Sequence, residues 1–210
     1  MLIFCLLLVA AALVALAVWA KAKRDRLFAA RTEQAVQAGW TPIPVDPALE
    51  VLANRLLAPG TNTRMVAGEY AGHYFRAFDH SHSASRTSTA TKQHLVAVLL
   101  NVSLPPIAVT TDSAIGRTLG VPDQELESGH FNDAFVVEAP NQRYASAVVH
   151  PQLMEWMLQH PHLQWWIDGP YLVTWGMHWW TVDGVNATLD ELTTVLRLIP
   201  PFVLTDYRLS

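Results

Sequence analysis

The stretch "WWIDGPYLVTWGMHWW", residues 165–180, holds five of the chain's eight tryptophans. Its reading as the inside of a fold or as a sticky surface decides how the rest assembles. Asp168-Gly169 between two apolar runs predicts a hairpin turn, with Pro170 opening the second strand. In that strand, alternation puts Tyr171, Val173, Trp175, Met177 and Trp179 on one face and Leu172, Thr174, Gly176, His178 and Trp180 on the other. One apolar face and one mixed face is what a sheet covered by helices requires, so the stretch reads as core. If the mixed face were open, Trp166 and Trp180 would serve a partner or a membrane interface.

Helices to cover the sheet flank this stretch. "NQRYASAVVHPQLMEWMLQH" (141–160) has Leu153, Trp156 and Met157 at helical spacing, with Pro151 suited to the first turn of a helix starting near His150. Thr188 and Glu191 form a T-x-x-E capping box ahead of Leu189, Leu192, Val195, Leu196 and Ile199, and Pro200-Pro201 stops that helix. Upstream, "RMVAGEYAGHYFRAF" and "QHLVAVLLNV" read as antiparallel strands around the polar insert "SHSASRTSTAT". Gly68 and Gly72 mark a bulge or a tight turn between them. A short helix is expected at "ALEVLANRLL", further strands at "PPIAVTTD" and "AFVVEA", and an extended connector at "GWTPIPVDP".

The first 20 residues, "MLIFCLLLVAAALVALAVWA", carry no charge and no proline. As a helix such a run spans about 30 Å, the thickness of a bilayer's hydrocarbon core. Lys21, Lys23, Arg24, Arg26 and Arg31 follow the run instead of preceding it, which favours a retained anchor over a cleaved leader and keeps the basic side in the cytoplasm. The expected layout is a transmembrane helix at 1–20, a basic juxtamembrane helix at 21–40 and a cytoplasmic domain at 41–210. That makes a single-pass plasma-membrane protein with its N-terminus outside. The single cysteine, Cys5, lies in the span, so no internal disulfide forms.

Residues 41–210 hold nine Lys and Arg against 16 Asp and Glu, a net charge of −7. So acidic a domain is a poor match for nucleic acid. The collar of Lys21, Lys23, Arg24 and Arg26 suits anionic lipid heads. His80 and His82, with Asp79 beside them, are the nearest approach to a metal set, and His160 and His162 a second pair. Neither meets the three or four converging ligands zinc needs, and H-E-x-x-H is absent. The run "DQELESG" from Asp123 begins like a calcium loop but has Ser128 where glycine belongs and Ala134 where a bidentate glutamate belongs. The chain lacks a G-x-S-x-G elbow and a glycine-rich phosphate loop. No cofactor is expected.

The order of features, from Gly39-Trp40 through "AGHYFRAF", "LPPIAVTT", "GVPDQELESGHFNDAFVV" and "YASAVVHPQLMEWML" to "IPPFVLTDY", resembles an uncharacterised family of single-span membrane proteins from high-GC Gram-positive bacteria. The most specific part is D-x-E-L-E-S-x-x-F-N-x-x-F-x-V, from Asp123 to Val137, followed by H-P-x-L-M-E-W from His150. The resemblance implies the topology and the fold and leaves activity open. On physical grounds Phe131 and Phe135 anchor the acidic connection to the sheet, and Asn132 satisfies turn backbone.

The expected fold is α+β, an antiparallel sheet with its helices on one face, or alternatively a pleckstrin-homology-like barrel. The expected function is a membrane-anchored, non-enzymatic interaction or scaffold module, partnered by the bilayer through residues 1–20 and by a protein. One alternative is a small-ligand or metal-binding enzyme domain using His73, Asp79, His80, His82 or the Trp166, His178 and Trp180 face. Another is anionic-lipid sensing by the basic collar.

Overall fold

The computed structural model describes residues 2–83, 89–111 and 120–209, with the side chains of 2–13 and of Arg24 outside that description. Its elements in chain order are α1 (Leu2–Gln37), β1 (Thr41–Ile43), α2 (Pro47–Leu56), β2 (Thr61–Tyr70), β3 (His73–His82), β4 (Thr91–Thr110), α3 (Gly129–Ala134), β5 (Val136–Glu138), α4 (Gln142–Val148), α5 (Pro151–Leu158), β6 (Trp165–Met177), α6 (Val182–Leu198) and α7 (Pro201–Asp206). Among the described residues no helix is long and apolar enough to cross a membrane. Most of the expected span, residues 1–20, falls on side chains outside the description. The tip of the insert after His82 and the start of the polar connection after Thr111 lie outside it as well.

Six strands form one antiparallel sheet, a meander from β1 to β5 with β6 along the other side of β4. Among the described residues β1, β5 and β6 each pair with one strand, so the sheet is open and the barrel alternative does not hold. The turn between β2 and β3 pairs Tyr70 with His73 across Ala71 and Gly72, both at positive φ (49° and 81°). This is the backbone a two-residue hairpin loop of type I′ requires. Gly72 is therefore the tight turn, whereas the bulge in β2 falls between Thr63 and Val66 and not at Gly68. Gly68 serves a close approach, since a Cβ there would lie 2.7 Å from the Phe75 ring.

No hairpin forms at Asp168-Gly169. β6 runs straight through it as one strand of 13 residues, paired with β4 from Gln93↔Met177 to Val109↔Trp165. Gly169, at φ 58°, sits in a double irregularity where the register shifts on either side of Leu104. Here the left-handed glycine does not reverse the chain, and the extra residues lie in β4, which runs from Leu99 to Ile107 while β6 runs only from Tyr171 to Ile167, through Pro105 and Pro106, which lack N–H donors. The irregularity leaves a trace in the packing. Trp166 and Val173 are seven residues apart, yet both lie in the core of the same face, which strict alternation forbids.

Both faces of the sheet are covered, which corrects the one-sided arrangement expected from sequence. The larger core packs α3 to α7 over Val96, Val98, Leu104, Ile107, Trp165 and Leu172. The smaller one packs Leu49, Leu52, Ala53 and Leu56 of α2 over Met65, Phe78, Leu95, Ala97, Trp166 and Val173. Asp46 caps α2, accepting from Ala48 N–H at 2.9 Å, and also pairs with Arg76.

The expected long helix at 141–160 is two, because Val149 departs from helical geometry and Pro151 starts a new first turn with His150 as N-cap. The last long helix is capped seven residues before the expected position. Thr181 is the N-cap, accepting from Gly184 N–H at 3.1 Å, whereas Thr188 lies inside the helix. In the acidic connection Phe131 and Phe135 stack at 5.0 Å, both buried, and Asn132 clamps Leu126 through its N–H (3.1 Å) and its carbonyl (2.8 Å).

Candidate functional site

Where α1 meets the open end of the sheet, an acidic side chain is fully buried. Asp79 of β3 is 0% exposed and accepts from Arg31 Nη2 on both oxygens (3.1 and 2.9 Å) and from the Trp180 backbone N–H (3.1 Å). Arg64 reaches it at 3.6 Å. Burial pushes the Asp79 carboxyl above its ordinary range, while Arg31, the Trp180 N–H and Arg64 pull it back. Burial likewise lowers Arg31, against the pull of Asp79. The Trp180 indole fits among these groups, 4.2 Å from the Arg31 guanidinium, with its Nε1–H donating to the Arg64 carbonyl at 3.1 Å. Arg31 is nevertheless incompletely satisfied, since its buried Nε and Nη1 have no acceptor among the described residues.

Outside this cluster lies a groove of about 880 Å³ whose walls alternate rings and cations. Lys23 lies over Trp19 at 5.2 Å, Arg64 over Phe28 at 3.3 Å and Lys92 over Trp179 at 5.5 Å. Phe28 and Trp179 meet edge to face at 6.2 Å. Of the charged residues lining it among those described, Lys23, Arg31, Arg64 and Lys92 are positive and Asp25 is negative. Among the described residues, two of the three non-glycine ones at positive φ, Arg64 (53°) and His178 (67°), line it too. Such backbone costs about 1–3 kcal/mol per residue and concentrates at functional sites. At His178 it also ends the strand alternation, so that Trp179 turns to the groove and Trp180 to the core.

The residues singled out from sequence separate accordingly. Trp166 and Trp180 are each 1% exposed, and of the two Trp180 borders the groove. His80 is fully buried, its Nε2 3.0 Å from the Ala58 carbonyl and its Nδ1 2.6 Å from the Asn62 side-chain amide. A neutral ring has one N–H, and Asn62 Nδ2 has no partner as placed, so a half-turn of that amide satisfies both. His82 is half-buried beside it, their rings 5.5 Å apart. Among the described residues no three His, Cys, Asp or Glu side chains converge to hold a metal. His178 is exposed and lines the groove, as does Lys23 of the basic collar, whereas Lys21 and Arg26 project to solvent elsewhere. Arg31, Arg64, Lys92 and Trp179 were missed as site residues, since no local motif joins them.

Burial lowers the pKa of His80 and of His94 below 6.5. The unfolded chain takes up these protons near pH 6.5 while the folded chain resists, so their contribution is complete above that pH and lost as pH falls toward the folded values. Each can add a slope of at most about 1.4 kcal/mol per pH unit. The raised Asp79 carboxyl works in the opposite direction, above its ordinary value of 3.8. Urea denaturation at pH 7.5 and 5.5 should show a loss of stability on acidification that is smaller in His80→Asn.

No family model matches this chain. No curated protein matches it. Among solved structures its fold, an α+β protein built on an open antiparallel meander, is similar to that of the mycobacterial trehalose monomycolate transport factor A, TtfA. The identity is 13% and the TM-score 0.54, over 83% of this chain and 97% of the other. At that identity the likeness shows the fold alone.

Proposed function

We propose that this chain is a single-span membrane protein of the kind its sequence resembles. Its α+β domain works as a non-enzymatic interaction module at the cytoplasmic face, and the groove beside α1 is the binding surface. The observation that carries this reading is the Arg31–Asp79 pair, which fastens the helix leading out of the expected anchor to the middle of the sheet. Anchor and domain then move as one body. Trp19, at the expected membrane boundary where tryptophan is favoured, lines the near end of the groove. The solved neighbour is named a transport factor, and a part in transport is carried over here as part of the proposal alone.

A reporter fused after Ser210 should be active only on the inner side of the membrane, and a photo-crosslinking residue at Lys92 should capture a partner in living cells more efficiently than one at Glu155, which is exposed and does not line the groove. Reporter activity outside the cell, or a mature chain beginning at Lys21, removes the topology. Equal capture from both positions removes the groove as the binding surface.

A further inference from the structure

We propose that the groove between α1 and the sheet end binds one anionic phospholipid drawn from the bilayer, its phosphate held by Arg31, Arg64 and Lys92 and its acyl chain laid against Trp179 and Phe28. This rests on the groove being the module's binding surface and names what occupies it.

Charge is the first argument. The whole chain carries a net charge of −4, yet among the described residues the charged side chains lining this groove are Lys23, Arg31, Arg64 and Lys92 against Asp25. An excess of one sign inside a concavity, against the net sign of the chain, selects a ligand of the opposite charge. The second is the kind of cation, because Arg31 and Arg64 keep 13% and 31% of their side chains accessible where they line the groove with Lys92, and phosphate oxygens are the acceptors a guanidinium fork fits best. The third is the apolar part of the wall. Trp19, Leu27, Phe28 and Trp179 line the groove beside the cations, a surface a free phosphate does not cover and an acyl chain does. Finally, the positive φ of Arg64 and His178 places strain at both sides of this one groove, with Arg64 turned over Phe28 by the β2 bulge. The contact differs from a collar lying on lipid heads, since Arg64 and Lys92 belong to the sheet and not to the residues 21–26 that carry the collar.

The test uses the full chain in micelles of a non-ionic detergent, with dihexanoyl phosphatidylglycerol, dihexanoyl phosphatidylcholine and inorganic phosphate as probes, followed by calorimetry. The phosphatidylglycerol should bind at least tenfold more tightly than either other probe, and more weakly as salt rises. Lys92 is exposed, so Lys92→Glu should keep the fold by circular dichroism and weaken that binding at least tenfold. Trp179→Ala should weaken both lipids and narrow their margin over inorganic phosphate, while Lys21→Glu should change nothing. Equal affinity for phosphatidylcholine overturns the headgroup assignment, and equal affinity for inorganic phosphate overturns the acyl-chain assignment. Unchanged binding in Lys92→Glu, or an equal loss in Lys21→Glu, moves the contact out of the groove and overturns the proposal. Binding in micelles does not depend on orientation, so an outward-facing reporter would remove the topology and leave this result standing, and a failure here would leave the topology untouched.

Discussion

Asp79→Ala should cost about 3–5 kcal/mol of folding stability, the range for removing one partner of a buried ion pair. The loss does not come from an intrinsically strong pair. Burial opposes the charged form of Asp79 and of Arg31 alike, and the attraction between them offsets that opposition only while both are present. Without the carboxylate, Arg31 keeps two nitrogens that already lack acceptors and gains a third, Arg64 loses its counter-charge, and the Trp180 backbone N–H has nowhere to donate. Arg31→Met should cost less, because Arg64 remains 3.6 Å from the carboxylate. The double variant should fall short of the sum of the two single ones, since residues in one network couple. Denaturant midpoints with unchanged m-values would measure all three. A cost below about 1 kcal/mol for Asp79→Ala, the level of an exposed pair, would mean the carboxylate is solvated and the helix not fastened through it.

Trp180→Ala is expected to cost about 3–5 kcal/mol, as for other large aromatics removed from a core. Its ring is 1% exposed, packs near Trp40 at 6.3 Å, and carries an Nε1–H bound to the Arg64 carbonyl. The neighbouring Trp179→Ala should cost much less, because that ring is only half-buried. Its loss should appear in the groove's binding instead. Chemical denaturation of the two variants side by side tests the division. Similar costs for both would mean that the positive φ at His178 does not send the two rings to different places.

Much of the packing was legible where the signal is local. Phe131, Asn132 and Phe135 recur within one turn of each other, and the stack and the backbone clamp follow from that spacing and from what an amide can bond. The helix at Pro47–Leu56 and the stop at Pro200-Pro201 are of the same kind. At Asp168-Gly169 the local signal was genuine, yet it had two outcomes. A glycine at positive φ either reverses a strand or lets it run on past an irregular partner, and only the long strand β4, running alongside both halves and carrying the extra residues, decides for continuity. At the last long helix two threonines competed as cap. Thr181 won although Thr188 has the better box, because starting the helix earlier buries Val185.

From the sequence alone came the α+β class, the antiparallel pairing, the interior place of the tryptophan-rich stretch and the acidity of the domain, because each is written in residues next to one another or in the composition as a whole. The two-sided cover of the sheet, the continuity of β6 and the groove came only with the tertiary structure. Arg31 and Asp79 are 48 residues apart, and Asp79 and Trp180 are 101 apart. No short-range pattern joins such positions. They meet because α1, β3 and the end of β6 pack against one another, and it is that packing which buries a carboxylate and leaves a cationic groove on an acidic domain.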